Sequence, residues 1–198
     1  MPPLPPLTQA LILVNVAVFC LDQFLGPWFT ALFALWPLGG GWLPWQPLSY
    51  AFLHDGLFHL LFNMLGLWMF GAELERLWGP RRFLVFYGAS VLAAAVAQLL
   101  VAALLGSPNP TVGASGGLFG LLMAYGMLFP YRTVMLLLPP IPMKARTFVA
   151  VFGAIELILG VTAPTGGVAH FAHLGGMVGG WLTIRAWRGQ APFGRRRR

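Results

Sequence analysis

Residues 83–105 contain no charged side chain, and neither do residues 7–21, 57–72 and 115–129. As a helix, the first of these stretches would reach about 34 Å, enough to cross a hydrocarbon core of about 30 Å. A chain that repeats such stretches must find an apolar solvent for them. Composition agrees. Hydrophobic residues make up 58% and charged residues 9%, with a mean hydropathy of +0.77. Soluble domains run nearer 45–50% and about 25%. A water-soluble globule is excluded, because too few charges exist to cover it, and disorder is excluded by the same figures. The expected class is all-α, a polytopic membrane protein.

The apolar runs break at charges, prolines and glycines into six expected helices. They cover residues 7–24, 57–72, 83–105, 115–129, 147–161 and 168–187. Residues 26–49 differ. They carry no charge, are rich in Trp and Pro, and include Gly39-Gly40-Gly41. Trp28, Trp36, Trp42 and Trp45 suit the headgroup level, so this segment is read as a loop of short interfacial helices. The first helix lacks the basic start and the small-residue cleavage site of a signal peptide. Cys20 is the single cysteine, so an intramolecular disulfide is impossible.

The net charge of +7 would suggest nucleic acid in a soluble chain. Here its distribution says otherwise, and no nucleic-acid partner is expected. Arg76, Arg81 and Arg82 fall between helices 2 and 3. Arg132, Lys144 and Arg146 fall between helices 4 and 5. Arg185, Arg188 and Arg195 to Arg198 follow helix 6. The loops after helices 1, 3 and 5 carry none. All positive charge lies on one side of a six-span bundle, which places both termini in the cytoplasm. Residues 1–190 form one membrane domain in this reading, and 191–198 a basic tail that touches anionic lipid.

Several polar residues sit where hydrocarbon rejects them. Helix 2 carries His59 and Asn63, with His54 just before it. Helix 4 opens on Gly113-Ala114-Ser115-Gly116. Helix 5 carries Glu156, and helix 6 carries His170 and His173. Helices 2, 4 and 6 all enter from the non-cytoplasmic side. His173 lies about 8 Å below the expected start of its helix. Ser115, His59, Asn63 and His173 therefore share one layer in the outer part of the bilayer. His59 and Asn63, four apart, share a helix face. Polar groups at such depth face protein or a water-filled cavity and mark function. Helix 4 is about 22 Å long before Pro130, short of the bilayer core. The loop before it must then dip inward, which is tolerated only against protein or a wet cavity. The small-xxx-small pairs Gly116/Gly120, Gly175/Gly179 and Gly176/Gly180 permit close backbone approach of helices 4 and 6.

This constellation points to nucleophilic catalysis. A serine hydroxyl becomes reactive when a neutral imidazole takes its proton. The oxyanion that follows needs donors, available from the start of helix 4, from Asn63 and from His59. Asp22 and Asp55 lie near the outer surface and Glu73 and Glu75 near the cytoplasm. No acid is therefore expected as a third member, and the orientation of His173 is left to packing. Phe119, one turn after Ser115, is placed to stack on the His173 ring.

Three motifs occur in order on the right helices. They are His59-Leu60-Leu61-Phe62-Asn63 (HxxxN), Gly113-Ala114-Ser115-Gly116 (GxSG), and Ala172-His173-Leu174-Gly175-Gly176 continuing to Gly180 (AHxxGxxxG). With them the chain resembles the rhomboid intramembrane serine proteases over most of its length. The resemblance implies a six-transmembrane-helix rhomboid-like bundle with a membrane-embedded loop after helix 1. It implies Ser115 as nucleophile and His173 as base. It implies an oxyanion hole of His59, Asn63 and the Ser115 N–H, supported by Gly113, Gly116, Phe119 and Gly176. It also implies single-span membrane proteins as substrates, with helix 5 and the loop as a lateral gate, and no cofactor. Trp45-Gln46 stands where the family often has Trp-Arg, which puts a loop salt bridge in question. Glu75 followed by Gly79 resembles a structural turn of the family.

Plainer readings remain for the other polar residues. His54 reads as a loop residue or a water ligand, and His170 as a residue of the cavity rim. Glu156, about 15 Å along helix 5 from Arg146, reads as structural or as part of the gate. A metal centre is not expected, because His59 pairs with Asn63 and no His-x-x-x-His occurs. Two other functions fit the class: a non-catalytic relative that binds or escorts membrane helices, and a small transporter using Glu156 and the histidines. The first has no need of both Ser115 and His173. The second commonly shows internal repeats, which are absent here.

Overall fold

In the computed structural model, residues 3–135, 140–162 and 169–190 are described. The main helices are α1 (Pro6–Leu25), α4 (Leu57–Gly66), α5 (Ala72–Trp78), α6 (Pro80–Leu105), α7 (Ser115–Leu128), α8 (Ala145–Thr162) and α9 (His170–Trp187). Two short helices, α2 (Pro27–Phe33) and α3 (Gln46–Ser49), lie in the segment after α1, as its Trp- and Pro-rich composition predicted. A π-helical turn at Leu67–Gly71 joins α4 to α5. The second helix thus runs to Trp78 rather than ending near residue 72, and Arg76 lies in its last turn. Pro80 opens α6 at its first position, where a missing N–H costs nothing.

Among the described residues, four helices are long and apolar enough to cross a membrane: Pro6–Leu25, Leu57–Trp78, Pro80–Leu105 and Ala145–Thr162. The shorter α7 and the glycine-rich α9 are the inner pair. Nine of the fourteen residues of α7 are buried, so its surroundings are protein rather than lipid. Outward faces are apolar instead, with Phe24, Phe58 and Leu104 all more than three-quarters exposed. Inside sit Thr8, Asn15, Gln46, Ser90, Glu75, Glu156, His170 and His173. Apolar side chains outside and polar ones within is the arrangement of an integral, multi-pass membrane protein.

Small residues set the spacing at the centre. A Cβ on Gly176 would stand 1.9 Å from the Gly116 carbonyl oxygen, and one on Gly175 2.4 Å from the Ala97 Cβ. The α6, α7 and α9 backbones touch through these positions, where side chains would hold them apart. At the start of α1 the Glu75 carboxylate caps the helix from another helix. It accepts from the Leu7 N–H at 3.0 Å, the Thr8 N–H at 2.6 Å and the Thr8 hydroxyl at 2.7 Å. These are donors that the first turn of a helix leaves free. Arg132 pairs with Glu73 nearby.

One element was not foreseen. Thr133–Met135 pairs antiparallel with Pro142–Lys144, with Val134 opposite Met143, between α7 and α8. The expected sixth helix begins at residue 168, outside the described residues; α9 is seen from His170. The basic tail at 191–198 also lies outside them.

Candidate active site

Ser115 is the first residue of α7, and the loop before it is held by backbone pairing. Leu35 and Thr111 exchange N–H···O bonds of 3.0 and 2.9 Å, and the Gly113 N–H donates to the Tyr50 carbonyl at 2.9 Å. Irregular backbone is thus satisfied by protein where the sequence required it to dip. Tyr50 is itself fixed by donating its hydroxyl to the Val91 carbonyl at 2.9 Å, and burial pushes that phenol's pKa well up. Gly113 has φ +126°, a conformation suited to glycine. A Cβ there would fall 2.8 Å from the His59 Nε2 and 3.5 Å from the Ser115 Oγ. The gap between those two side chains is kept open by the missing Cβ.

Across the seam, α9 presents His173. Its Nε2 lies 2.7 Å from the Ser115 Oγ. Phe119 stacks flat on the same imidazole, with centroids 4.3 Å apart and planes 6° from parallel. A hydroxyl bonded to an imidazole nitrogen is the arrangement in which the oxygen can be deprotonated.

On α4, the Asn63 Nδ2 donates to the His59 carbonyl at 2.8 Å, which steers the amide and leaves its second N–H free of that bond. The His59 Nδ1 accepts from the Asp55 N–H at 3.3 Å. A neutral His59 then carries its proton on Nε2, the nitrogen that faces Gly113 and Ser115. His54 packs edge-on to His59 at 5.1 Å. Burial first, and the neighbouring His59 second, press its pKa down to about 4.

Ser115, His173, His59 and Asn63 all line one cavity of about 980 Å³. Apolar side chains, among them Phe62, Met69, Phe70, Leu122, Phe148 and Phe152, line part of it, and polar ones, among them Asp22, His54, Asp55, Gln98 and Asn109, line the rest.

A rhomboid-domain family model matches residues 41–188, which includes every residue named at this site save the supporting segment before residue 41. The chain belongs to the rhomboid family. Over 188 residues this rhomboid is 34% identical to "Rhomboid protein 1, mitochondrial" of Saccharomyces cerevisiae, covering 91% of this chain and 54% of that protein. It is 33% identical to "Rhomboid protease GluP" of Bacillus subtilis, covering 74% of this chain and 26% of that protein. To "Rhomboid protease GlpG" of Klebsiella pneumoniae it is 28% identical, covering 88% and 60%. The chain spans between a quarter and three-fifths of the length of these relatives.

Two expectations about this rhomboid need correction. An acid does stand beside His173. The Glu156 Oε2, from α8, lies 2.9 Å from the His173 Nδ1 and 2.7 Å from the His170 Nδ1. The contact to His170 is an aligned hydrogen bond. The one to His173 is close in distance but lies off the N–H axis. His170, expected at the cavity rim, is buried against this carboxylate instead. Depth counting missed the contact because it cannot fix how α8 is rotated about its own axis. The available signal was the acid itself, placed in an apolar helix that must hide it.

Glu156, His170 and His173 each bring one potential ligand atom within 4.8 Å of the others. Their 2.7 and 2.9 Å separations are those of groups sharing protons. Ligand atoms around a tetrahedral zinc, with bonds of about 2.0–2.1 Å, stand about 3.3 Å apart. Gln46, in place of the arginine common in the family, is fully buried and pins the loop with both ends of its amide. It accepts from the Trp36 and Leu43 N–H groups at 3.2 and 3.1 Å, and donates to the Leu32 and Gly41 carbonyls at 3.4 and 3.3 Å.

Proposed function

We propose that this rhomboid is an intramembrane serine endopeptidase that cleaves peptide bonds in or near the transmembrane segments of membrane proteins. The observation that carries the reading is the 2.7 Å contact between the Ser115 Oγ and the His173 Nε2 in a cavity of about 980 Å³. An extended substrate segment would lie in this cavity, with its scissile carbonyl over Ser115.

In this mechanism the Ser115 O–H gives its proton to the His173 Nε2 as its oxygen attacks the carbonyl carbon. The carbonyl electrons move onto oxygen. That oxyanion is met by the Ser115 N–H, one of the unsatisfied donors at the start of α7, by the His59 Nε2–H and by the Asn63 amide. Imidazolium then returns the proton to the leaving amine, and the C–N bond breaks. An acyl-serine remains. Water enters, gives a proton to His173, and attacks the ester carbon. Collapse releases the acid and restores the Ser115 hydroxyl. Both proton transfers use the same nitrogen, so one well-held imidazole suffices.

Residues 1–190 act as one membrane domain in this reading. The asymmetry of the basic residues supports cytoplasmic termini and a site open to the external or periplasmic side; a prokaryotic cell membrane is the proposed location. Membrane-spanning proteins and the bilayer are then the partners.

The deciding experiment is labelling of the detergent-purified protein with a serine-reactive fluorophosphonate, followed by peptide mapping. Labelling at Ser115 is expected, lost in Ser115→Ala together with cleavage of a single-span substrate. A folded protein that labels nowhere, or a Ser115→Ala variant that still cleaves, overturns the proposal and favours an escort of membrane helices.

A further inference from the structure

We infer that Glu156 is a positioning residue for His173, so that Ser115, His173, Glu156 and His170 form one proton-sharing chain across α7, α9 and α8. The inference rests on reading His173 as the base.

Each link is short. The Ser115 Oγ is 2.7 Å from the His173 Nε2. The His173 Nδ1 is 2.9 Å from the Glu156 Oε2, and the same oxygen is 2.7 Å from the His170 Nδ1. The two imidazoles meet edge to face at 89°. A single carboxylate oxygen can therefore sit against both Nδ1 atoms. Phe119 closes one face of His173. Glu156 itself is only 8% exposed on a helix whose outward residues, among them Ile155 and Ile158, face lipid.

Burying a carboxylate in such surroundings is costly unless polar groups answer it. His170 alone would answer it as a tether between α8 and α9. The second approach, to the reactive imidazole, goes beyond a tether. Neutral imidazole carries its proton on one nitrogen or the other, and only the Nδ1–H form leaves the Nε2 lone pair free for the serine proton. A carboxylate beside Nδ1 selects that form, and it stabilises the imidazolium that forms when Ser115 attacks. His170 holds the carboxylate in place by donating from its own Nδ1. The approach is off-axis in the resting state, as catalytic hydrogen bonds often are before substrate binds and tightens them.

Among the groups around His173, Ser115 meets its Nε2 and Glu156 is the one that reaches its Nδ1. Removing the carboxylate should therefore leave the tautomer of His173 unselected.

The test measures the rate of fluorophosphonate labelling at Ser115, kcat and KM for a single-span substrate, and thermal stability, in wild type, Glu156→Gln, Glu156→Asp and His170→Gln. Glu156→Gln keeps the size and polarity of the side chain. It should lower kcat by about 10²–10⁴-fold, the range that positioned acid–base groups supply. KM should stay unchanged. Glu156→Asp should restore part of the rate, and His170→Gln should lose less than Glu156→Gln. A Glu156→Gln variant that labels Ser115 at the wild-type rate overturns the inference while leaving the protease reading intact. So does one whose lost rate follows a loss of thermal stability and is not restored in Glu156→Asp. If wild type does not label at Ser115, the protease reading fails first, which distinguishes the two failures.

Discussion

Two sides of α9 hold the site in opposite ways. Toward α6 and α7 it packs through glycine, with Gly175, Gly176, Gly179 and Gly180 against Ala97, Gly116, Ala93 and Gly120. Toward α8 it packs through long side chains: Met177 against Gly153, Phe171 against Gly160, and the two histidines against Glu156. The first contact is backbone on backbone and has no adjustable part. The second is made of groups that can turn about several bonds. Ser115 and His173 face each other across the rigid contact, and Glu156 reaches His173 from the adaptable one. A 2.7 Å contact between residues 58 positions apart needs the first kind of support. A carboxylate that only biases a tautomer can be delivered by the second.

The largest effect that would break this contrast is expected at Gly176. Its Cβ would meet the Gly116 carbonyl oxygen at 1.9 Å, and neither backbone can yield without moving a helix. Gly176→Ala is expected to cost at least about 3 kcal/mol, at the upper end of what overpacking a core does. Thermal unfolding in detergent and fluorophosphonate labelling should fall together. A Gly176→Ala protein with wild-type melting and labelling would mean that the seam is looser than its geometry.

Asn63 comes next, and it sharpens the contrast from across the cavity. Its partner is a carbonyl one turn back on its own helix, so removing the side chain leaves the seam untouched. Asn63→Ala is expected to lower kcat by about 10²–10³-fold, or about 2.7–4 kcal/mol, if it is a main oxyanion donor. The melting temperature should shift little. A kcat within a few-fold of wild type would leave His59 and the Ser115 N–H as the donors.

How much of this was legible without coordinates varies with the physics. Ser115, His59 and Asn63 could be assigned to one layer because entry side and helical rise fix depth, and those three needed only depth. His173 was placed with them for the same reason. Glu156 needed a rotation angle about α8, which rise per residue does not supply. Its depth follows from Arg146 at one surface and that of His173 from the opposite surface, and neither distance fixes their separation in the plane. Gln46 was visible only as a missing charge. Its hydrogen bonds depend on the loop bringing four backbone groups around one amide, and that follows from tertiary structure alone. The short β pairing at Thr133 and Lys144 lies in a segment of Leu and Pro residues with no alternation to betray a strand.

Phe119 is expected to show a moderate effect. Its ring lies parallel to His173 and adds an aromatic contact worth about 0.5–1.5 kcal/mol beyond burial. Phe119→Leu keeps apolar bulk and removes the stack. It should lower kcat/KM by roughly 2- to 10-fold, the rate equivalent of that energy. A loss exceeding that of Glu156→Gln would mean that the stack orients His173 more strongly than Glu156 does. The comparison with Glu156→Gln in one assay decides between them.

The smallest effect is expected at Gly153, which is the counterpart of Gly176 on the adaptable side. A Cβ there would lie 3.2 Å from the Met177 Cε, the far end of an unbranched thioether with three rotatable bonds. That methyl can swing aside at little cost. Alanine is also the better helix former by about 0.8–1.0 kcal/mol. The gain offsets the cost, so Gly153→Ala should melt at or slightly above the wild-type temperature, with cleavage unchanged. The same one-methyl addition is then severe at one face of α9 and harmless at the other. If Gly153→Ala instead destabilises as much as Gly176→Ala, the α8 contact is as rigid as the seam. The division of labour between a fixed Ser115–His173 pair and an adjustable Glu156 would then have no structural basis.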